Sequence, residues 1–443
     1  MSVVGPGAPR RVGCSRAPRY GGANRGAMRI VHAADIHLDS PLRGLSRLED
    51  DDVARKLRQA SRQALENLVR LVVDRQAQAL VLAGDIYDGD WPDYATGRFF
   101  AEQMGVLRDH GIRVFMAAGN HDAESQLTRT LTLPPNVTVL STRAPQSVVD
   151  DDLGLVVHGQ GFPTRAVKEN LVLAYPSRVP GLVNVGILHT AVAGAEGHAN
   201  YAPCSPDDLR ATEYDYFALG HVHQHRVVND GDRVAAFSGN LQGRHPRETG
   251  PKGALVVEVE PDGRAALETV ALDVARWAVV EVDATGAGSL DDVLVRLEEA
   301  LRGARSEAEG RLLVARVLIT GTTPAAVSLA DRERLQEEVL RVTRGLDVVM
   351  ERARSTARAP GEQRAVEPEL LEAIERACQE LTSDTSRLVE FARPLDREFG
   401  RVLRGGVDRE SGVGVDLRDP AVLGSLAAEA VDSLIARLAS PES

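Results

Sequence analysis

The stretch MRIVHAADIHLDSPL, residues 28–42, determines the fold that the sequence predicts. It begins with an apolar run, which indicates a buried strand from Arg29 to Ala34. The run ends in an Asp-x-His motif at Asp35 and His37. Apolar residues then recur three or four positions apart, as on one face of a packed helix: Leu57, Ala60, Ala64, Leu68 and Leu71. A strand followed by a helix is the repeating unit of a layered α/β protein.

This alternation continues to about residue 270. Further strands are predicted at Ala79–Ala83, Val114–Ala117, Leu155–His158, Val183–Leu188 and Tyr216–Leu219, with a helix at Ala95–His110. Polar residues concentrate where these strands end: Asp35, His37, Asp85, Asn120, His121, Asp122, His189, His221 and His223. Open α/β sheets bind ligands at the carboxyl ends of their strands, so we expect these residues to share one site.

The chemistry of this residue set indicates divalent metal ions. Carboxylate, amide and imidazole ligands suit manganese, iron or zinc better than thiophilic metals. Asp-x-His and His-x-His place alternate side chains of an extended segment on one side, so both can face one ion. Each motif alone is more often a turn, a helix cap or a satisfied histidine pair. Their recurrence at successive strand ends favours a metal site over those structural alternatives.

Composition bounds the class of protein. A formal net charge of −12 argues against a broad basic surface for nucleic acid, but two carboxylates facing two dications leave a local charge of about +2. There is no apolar run of the roughly 18 residues that span a bilayer, so no membrane association is expected. Three scattered cysteines, Cys14, Cys204 and Cys378, suggest neither a disulfide framework nor a thiolate zinc site, which is typical of a reducing cytoplasm.

We predict four segments along the chain. Residues 1–27 are rich in Arg, Gly and Pro and form either a disordered basic extension or a stretch preceding a true start at Met28. Residues 28–270 form the enzyme core, and residues 271–355, with a β-α-β pattern, form a small α/β cap. Residues 356–443 form a helical tail.

The tail carries two apolar helical stripes, one at Leu370, Leu371, Ile374, Cys378 and Leu381 and one at Leu423, Ala427, Ala430, Leu434 and Leu438. Such stripes fit either a partner-docking surface or an internal packing layer.

The motif series Asp35-x-His37, Gly84-Asp85, Gly119-Asn120-His121-Asp122, His189 and Gly220-His221-x-His223 resembles that of the calcineurin-like metallophosphoesterases. The flanking sequence HAADIHLDSPL (32–42) resembles the DNA-repair exonuclease branch that includes YhaO- and SbcD-like nucleases. The segments SGNLQGRH (238–245) and ETGPKG (248–253) are similar to the closing segment of that branch. The resemblance implies a four-layer α/β/β/α core.

The resemblance also implies a role for each residue. Asp35, His37 and His223 would hold one metal ion, Asn120, His189 and His221 a second, and Asp85 would bridge both. His121 would stabilise the phosphate or protonate the leaving oxygen, with Asp122 orienting it. Some relatives carry a second catalytic histidine where this chain has Asp88, which leaves His121 as the acid that the resemblance implies. His158, His225 and His245 are weaker candidates, with structural roles favoured.

The predicted function is a manganese-dependent DNA exonuclease or endonuclease, cytoplasmic and associated with the nucleoid. By resemblance it would act with an SMC-like coiled-coil ATPase. A homodimer is the alternative assembly. Two alternatives stay open: a phosphatase or cyclic-nucleotide phosphodiesterase acting on a small substrate, and a non-catalytic binding protein. The intact His121 and the segments that follow the core argue against them.

Overall fold

The computed structural model describes residues 26–40, 51–87, 94–124, 132–192, 201–231 and 233–360, with short pieces at 388–394, 397, 423–424 and 426–427. The chain divides into two compact units whose boundaries fall after residues 40, 57, 243, 250 and 274. The first unit contains the strand ends that carry the candidate ligands. The second begins as a continuous segment at Ala275 and also takes in residues 41–57 and 244–250.

The first unit is built on two six-stranded sheets. Its strands are β1 (Met28–Ala33), β2 (Ala79–Ala83), β3 (Arg113–Ala117), β4 (Val137–Val139), β5 (Gln146–Asp150), β6 (Leu155–Gly159), β7 (Val183–His189), β8 (Tyr216–Gly220), β9 (Arg226–Asn229), β10 (Val234–Phe237), β11 (Gly253–Val259) and β12 (Ala265–Ala271). The first sheet has the order β12-β11-β1-β2-β3-β4 and the second β5-β6-β7-β8-β10-β9. In each sheet four neighbouring strands are parallel. In the first sheet β11 pairs antiparallel with β1 and with the edge strand β12, and in the second the edge strands β5 and β9 are antiparallel to their neighbours.

The two sheets pack face to face around a shared apolar core. Alternate residues of β1, such as Ile30, point into this core with Val81 of β2 and Ile187 of β7. The other face of the first sheet is covered by helices α1 (Asp51–Asp74) and α2 (Tyr94–Asp109). Both faces of the central strands are therefore buried, which explains why β1, β2 and β8 are almost continuously apolar.

The outer face of the second sheet carries a layer of its own. In the described part of the chain this layer contains the short helix α3 (Pro206–Ala211) and a 3₁₀ helix at Leu171–Ala174. Ser205 and Asp208 form a capping box that fixes the start of α3. The predicted α/β core with two sheets at its centre is confirmed, and within the described residues the helices on the second sheet are shorter than α1 and α2.

The second unit is a smaller α/β structure. Three parallel strands, β13 (Ala275–Asp283), β14 (Leu312–Thr320) and β15 (Val348–Ser355), alternate with helices α4 (Leu290–Glu307), α5 (Ala326–Ala330) and α6 (Arg332–Arg344). The helices cover one face of the sheet, where Leu297 and Val339 pack on Val317. This agrees with the β-α-β pattern predicted for the cap.

The predicted tail lies mostly outside the described residues, including the whole stripe from Leu370 to Leu381. Residues 388–394 are helical, and there Leu388 and Ala392 pack against Leu423, a member of the second predicted stripe. The basic extension 1–27 lies outside the described residues up to position 25. Among the helices that are described, none is long and apolar enough to cross a membrane.

Candidate metal centre

The register of the parallel strands brings the predicted ligands to one edge. Ala33 of β1 lies beside Leu82 of β2, and Ala83 of β2 beside Ala117 of β3, so these strands end level with one another. Main-chain hydrogen bonds continue past the strand ends, from Asp35 N to the Gly84 carbonyl at 3.0 Å and from His37 N to the Asp85 carbonyl at 3.0 Å. The first two motifs are therefore held side by side by backbone pairing.

One group of candidate ligands combines the two sheets. The ligand atoms of Asp35, His37 and His223 all lie within 4.8 Å of one another. His37 Nε2 is 3.3 Å from His223 Nε2, and His223 Nε2 is 3.8 Å from Asp35 Oδ1. The structure thus brings together the three residues assigned by resemblance to the first ion.

Asp85 lies between that group and a second one. Its carboxylate Oδ2 is 3.9 Å from His37 Nε2 and 3.4 Å from His189 Nε2. His189 Nε2 in turn lies 2.9 Å from Asn120 Oδ1, and the His221 ring lies edge-on to the His189 ring with 5.2 Å between centroids. The residues assigned to the second ion are therefore also close together, and the Asp85 carboxylate lies within 3.9 Å of a histidine from each group.

The orientation of His189 suits a cation. Its Nδ1 lies 2.9 Å from the Ala83 carbonyl oxygen. Because a carbonyl oxygen only accepts hydrogen bonds, Nδ1 must carry the proton and donate it. The other ring nitrogen, Nε2, then faces the oxygens of Asn120 and Asp85. All three atoms are acceptors, so they need either a proton or a cation between them. Burial lowers the pKa of His189, but the Asp85 carboxylate outweighs it and raises the pKa to about 9. The donor set and its arrangement fit a divalent metal ion.

The two carboxylates differ in their environments. Burial works to raise the pKa of Asp85, yet the His189 and His37 imidazoles hold it well below its usual range. Burial raises the pKa of Asp35, although His223 opposes this. Asp35 also accepts the main-chain N–H of His221 on both carboxylate oxygens, at 3.1 and 3.0 Å. This bond couples the end of β1 to the loop that carries the His-x-His motif.

Backbone strain is concentrated at the same residues. Asp35, His37, Asp85 and His221 adopt positive φ values of 50°, 45°, 52° and 102°. Side chains other than glycine occupy this left-handed region at a cost, and such residues cluster at functional sites. Glycine is required at position 119 of the third motif for a steric reason. A Cβ there would lie 2.2 Å from Asp85 Oδ1.

The predicted catalytic pair lies against the centre. His121 groups with His37 and Asp85 within 4.8 Å, its ring centroid is 5.1 Å from that of His37, and its main-chain N–H donates to Asp85 Oδ1 at 2.9 Å. Its side chain is partly exposed, whereas those of His37 and Asp85 are buried. The arrangement allows His121 to act as an acid or as a ligand, so its predicted role stays a prediction.

Asp122 has contacts that sequence patterns did not indicate. Its Oδ1 accepts the main-chain N–H groups of Ile86 and Tyr87 at 2.9 and 3.0 Å, and its Oδ2 accepts that of Gly119 at 3.0 Å. Burial raises the pKa of Asp122 to about 6, and the Asp85 charge adds to this. Asp122 thus ties the loop after β2 to the loop after β3. The prediction that it orients His121 stays untested.

The weaker histidine candidates have other surroundings. His158 is hydrogen-bonded to Ser147 and Asn184 and stacks on Tyr214 within the second sheet and its covering layer. His225 Nδ1 contacts the Phe237 carbonyl, and His245 lies 3.4 Å from Glu248. Asp88 lies outside the described residues.

Two aromatic residues beside the centre were not predicted. The Tyr201 ring lies edge-on to His221 at 5.5 Å, and the buried Phe162 ring lies edge-on to His189 at 5.6 Å. No local spacing identifies them, because each comes from a different loop.

Comparisons with known proteins show the family. Residues 28–225 match the family model described as calcineurin-like phosphoesterase, and residues 277–358 match the middle domain of the metallophosphoesterase YhaO. The second match covers the sheet of the second unit from β13 to β15.

Curated relatives extend the likeness. An uncharacterised metallophosphoesterase YhaO from Bacillus subtilis (strain 168) is 30% identical over 311 residues, which cover 70% of this chain and 75% of that protein. The SbcD component of the nuclease SbcCD from the same strain is 27% identical over 285 residues, covering 55% of this chain and 70% of the relative. The DNA double-strand break repair protein Mre11 of Methanopyrus kandleri is 25% identical over 342 residues, which cover 68% of this chain and 67% of that protein.

Proposed function

Since this chain belongs to the calcineurin-like metallophosphoesterase family, we propose that it is a nuclease that hydrolyses phosphodiester bonds in DNA with two divalent metal ions. The observation that carries the proposal is the buried cluster of carboxylates and imidazoles at the strand ends, in which Asp85 lies within reach of both His37 and His189.

In this proposal Asp35, His37 and His223 bind one ion, Asn120, His189 and His221 bind the other, and Asp85 binds both. Bound divalent ions would neutralise phosphate charge and lower the pKa of the attacking water. Oxygen and imidazole ligands without a thiolate suit manganese, iron or zinc, and of these we propose Mn²⁺. The local positive charge that results would also attract a phosphodiester to a chain whose net charge is −12.

The residues around the ions would position and protonate the substrate. His121 is partly exposed beside the buried ligands, as a group that contacts substrate must be. We assign it to the scissile phosphate, where it stabilises developing charge or delivers a proton to the leaving oxygen. Its main-chain N–H is fixed on Asp85, so the acid and the metal ligands would share one rigid frame.

DNA is the proposed substrate because two relatives carry the names of a nuclease component and a DNA double-strand break repair protein. The proposed organisation is a nuclease domain at 28–270, a cap at 271–355 that shapes a DNA groove, and a tail at 356–443 that docks a partner. The proposed partner is an SMC-like coiled-coil ATPase, and the proposed location is the nucleoid.

The test uses end-labelled single- and double-stranded DNA with Mn²⁺, with EDTA as the control and with a candidate SMC-like coiled-coil ATPase present or absent. We expect Mn²⁺-dependent cleavage that EDTA abolishes and that the ATPase extends on duplex DNA. Hydrolysis of bis(p-nitrophenyl) phosphate without DNA cleavage would instead identify an enzyme for small substrates. Metal binding without hydrolysis of either substrate would identify a non-catalytic binding protein.

A further inference from the structure

The main-chain carbonyl of His223 is held by two donors from a segment later in the chain. Lys252 Nζ donates to it at 2.9 Å, and the Asn240 N–H does so at 3.4 Å. The side chain of His223 is 19% exposed, whereas those of Asp35 and His37 are almost fully buried. The His223 ring is therefore less enclosed than those two side chains, and its backbone contacts are a second means of holding it in place.

Gly239 brings this segment into close contact with the same backbone. It adopts a φ of +78°, and a Cβ at this position would lie 2.9 Å from His225 N and 3.2 Å from the His223 carbonyl oxygen. The turn at residues 239–240 therefore packs directly on the chain of residues 223–225, and only glycine allows this approach.

The segment that holds His223 is itself anchored. The Lys252 carbonyl accepts the N–H groups of Leu272 and Asp273 at 2.8 and 3.1 Å, and the Asn240 carbonyl accepts that of Gly253 at 3.2 Å. Asn240 also forms a parallel bridge with Ala34, the residue before Asp35. One connected frame thus joins the backbone that carries Asp35 to the backbone that carries His223.

The identity of Lys252 is unusual for this chain. Of 52 lysines and arginines, only three are lysines, at positions 56, 168 and 252. Lys252 is 8% exposed. A buried cation needs good hydrogen-bond partners, and a compact ammonium can reach a single carbonyl where a planar guanidinium demands more room. A chain that otherwise uses arginine has a lysine at this buried contact with a candidate metal ligand.

We propose that Gly239, Asn240 and Lys252 form a backbone clamp that positions His223 as a metal ligand, with Lys252 as the main positioning residue. All three lie beyond residue 225, where the match to the phosphoesterase family model ends. The inference rests on the proposed assignment of His223 to an ion. It concerns how well that ion is held, and DNA need not be the substrate.

The test measures Mn²⁺ binding by titration calorimetry and by electron paramagnetic resonance, without DNA. Lys252→Met should weaken binding of one ion by about 10- to 100-fold, the range seen when the partner of a metal ligand is removed. Partial loading should then give the signal of an isolated Mn²⁺ in place of that of a coupled pair. Lys252→Arg keeps a donor and should recover part of the lost affinity.

Two controls separate positioning from general stability. Lys168→Met removes an exposed lysine, and Arg178→Met breaks the ion pair with the buried Asp215 in the same unit. Arg178→Met should lower the melting temperature yet leave both ions bound as in the wild type. An equal loss of metal affinity in Arg178→Met and Lys252→Met would overturn the clamp.

A second variant keeps the test decisive if Lys252→Met does not fold. Gly239→Ala presses on the same backbone and should weaken the same ion. A folded Gly239→Ala or Lys252→Met protein with unchanged affinity for both ions would refute the proposal. Failure of the wild type to bind two Mn²⁺ ions would instead refute the proposed metal centre.

Discussion

Replacing Asp85 by asparagine removes one charge from the centre while keeping its shape. Asparagine retains an oxygen that can accept the His121 N–H now bound by Asp85 Oδ1 at 2.9 Å, so the loop after β3 should stay in place. What is lost is the negative charge between His37 and His189. Asp85 therefore offers a test of metal binding that does not rely on unfolding.

The magnitude follows from burial. Asp85 is 2% exposed, and removing one partner of a buried ionic contact costs about 3–5 kcal/mol. At about 1.4 kcal/mol per tenfold change, Mn²⁺ affinity should fall by roughly 10²- to 10³-fold or more. Hydrolysis at subsaturating metal should fall at least as far, because Asp85 is assigned to both ions.

The assay pairs metal analysis with hydrolysis of a chromogenic phosphodiester and DNA. Asp215→Asn is the matched control, since Asp215 is a buried carboxylate with two arginine partners in the same unit, away from the predicted ligands. It should lose thermal stability and keep both ions. An Asp85→Asn protein with full metal content and normal hydrolysis would refute the ligand assignment.

Three further predictions follow from the same geometry. His121→Asn should keep both ions and lose about 10²- to 10⁴-fold in the rate of hydrolysis, as expected for a general acid, and a parallel fall in metal occupancy would make His121 a ligand instead. The raised pKa of His189, about 9 against 6.5, means that its charged contact with Asp85 stabilises the metal-free fold fully below pH 6.5 and progressively less as pH rises through 9. Thermal unfolding of metal-free protein should show this loss, His189→Gln should flatten it, and a wild type equally stable at pH 6 and pH 9.5 would contradict it. Deleting residues 361–443 should leave a folded enzyme that cleaves short single strands but does not co-purify with the ATPase; a truncated protein that unfolds, or that still binds the ATPase, would decide against a docking tail.

The central strands were predictable because each is a short apolar run that ends in glycine or a polar motif. The predicted strand Ala79–Ala83 has the same bounds in the structure, and the predicted start of the strand at Val183 is also confirmed. Strands β4, β5, β9, β10, β11 and β12 were not predicted; of these, β4, β5, β9 and β12 are short or half-exposed and give no continuous buried pattern.

The position of β11 could not be predicted from local sequence. It pairs antiparallel to β1, with Met28 beside Val259, across more than two hundred residues of chain. Such pairing depends on which apolar faces meet in the folded core, which a window of sequence does not contain. The same holds for the contacts of Asp122 with the Ile86 N–H and of Lys252 with the His223 carbonyl, because each joins a side chain to the main chain of a separate loop. The motif residues themselves were predictable because strand ends converge in any parallel sheet.

The most direct test of the two-metal centre is anomalous scattering from crystals grown with Mn²⁺. The account predicts two peaks: one within bonding distance of Asp35, His37 and His223, and one within bonding distance of Asn120, His189 and His221, with Asp85 contacting both. A single peak, or peaks away from these side chains in crystals of active protein, would contradict it.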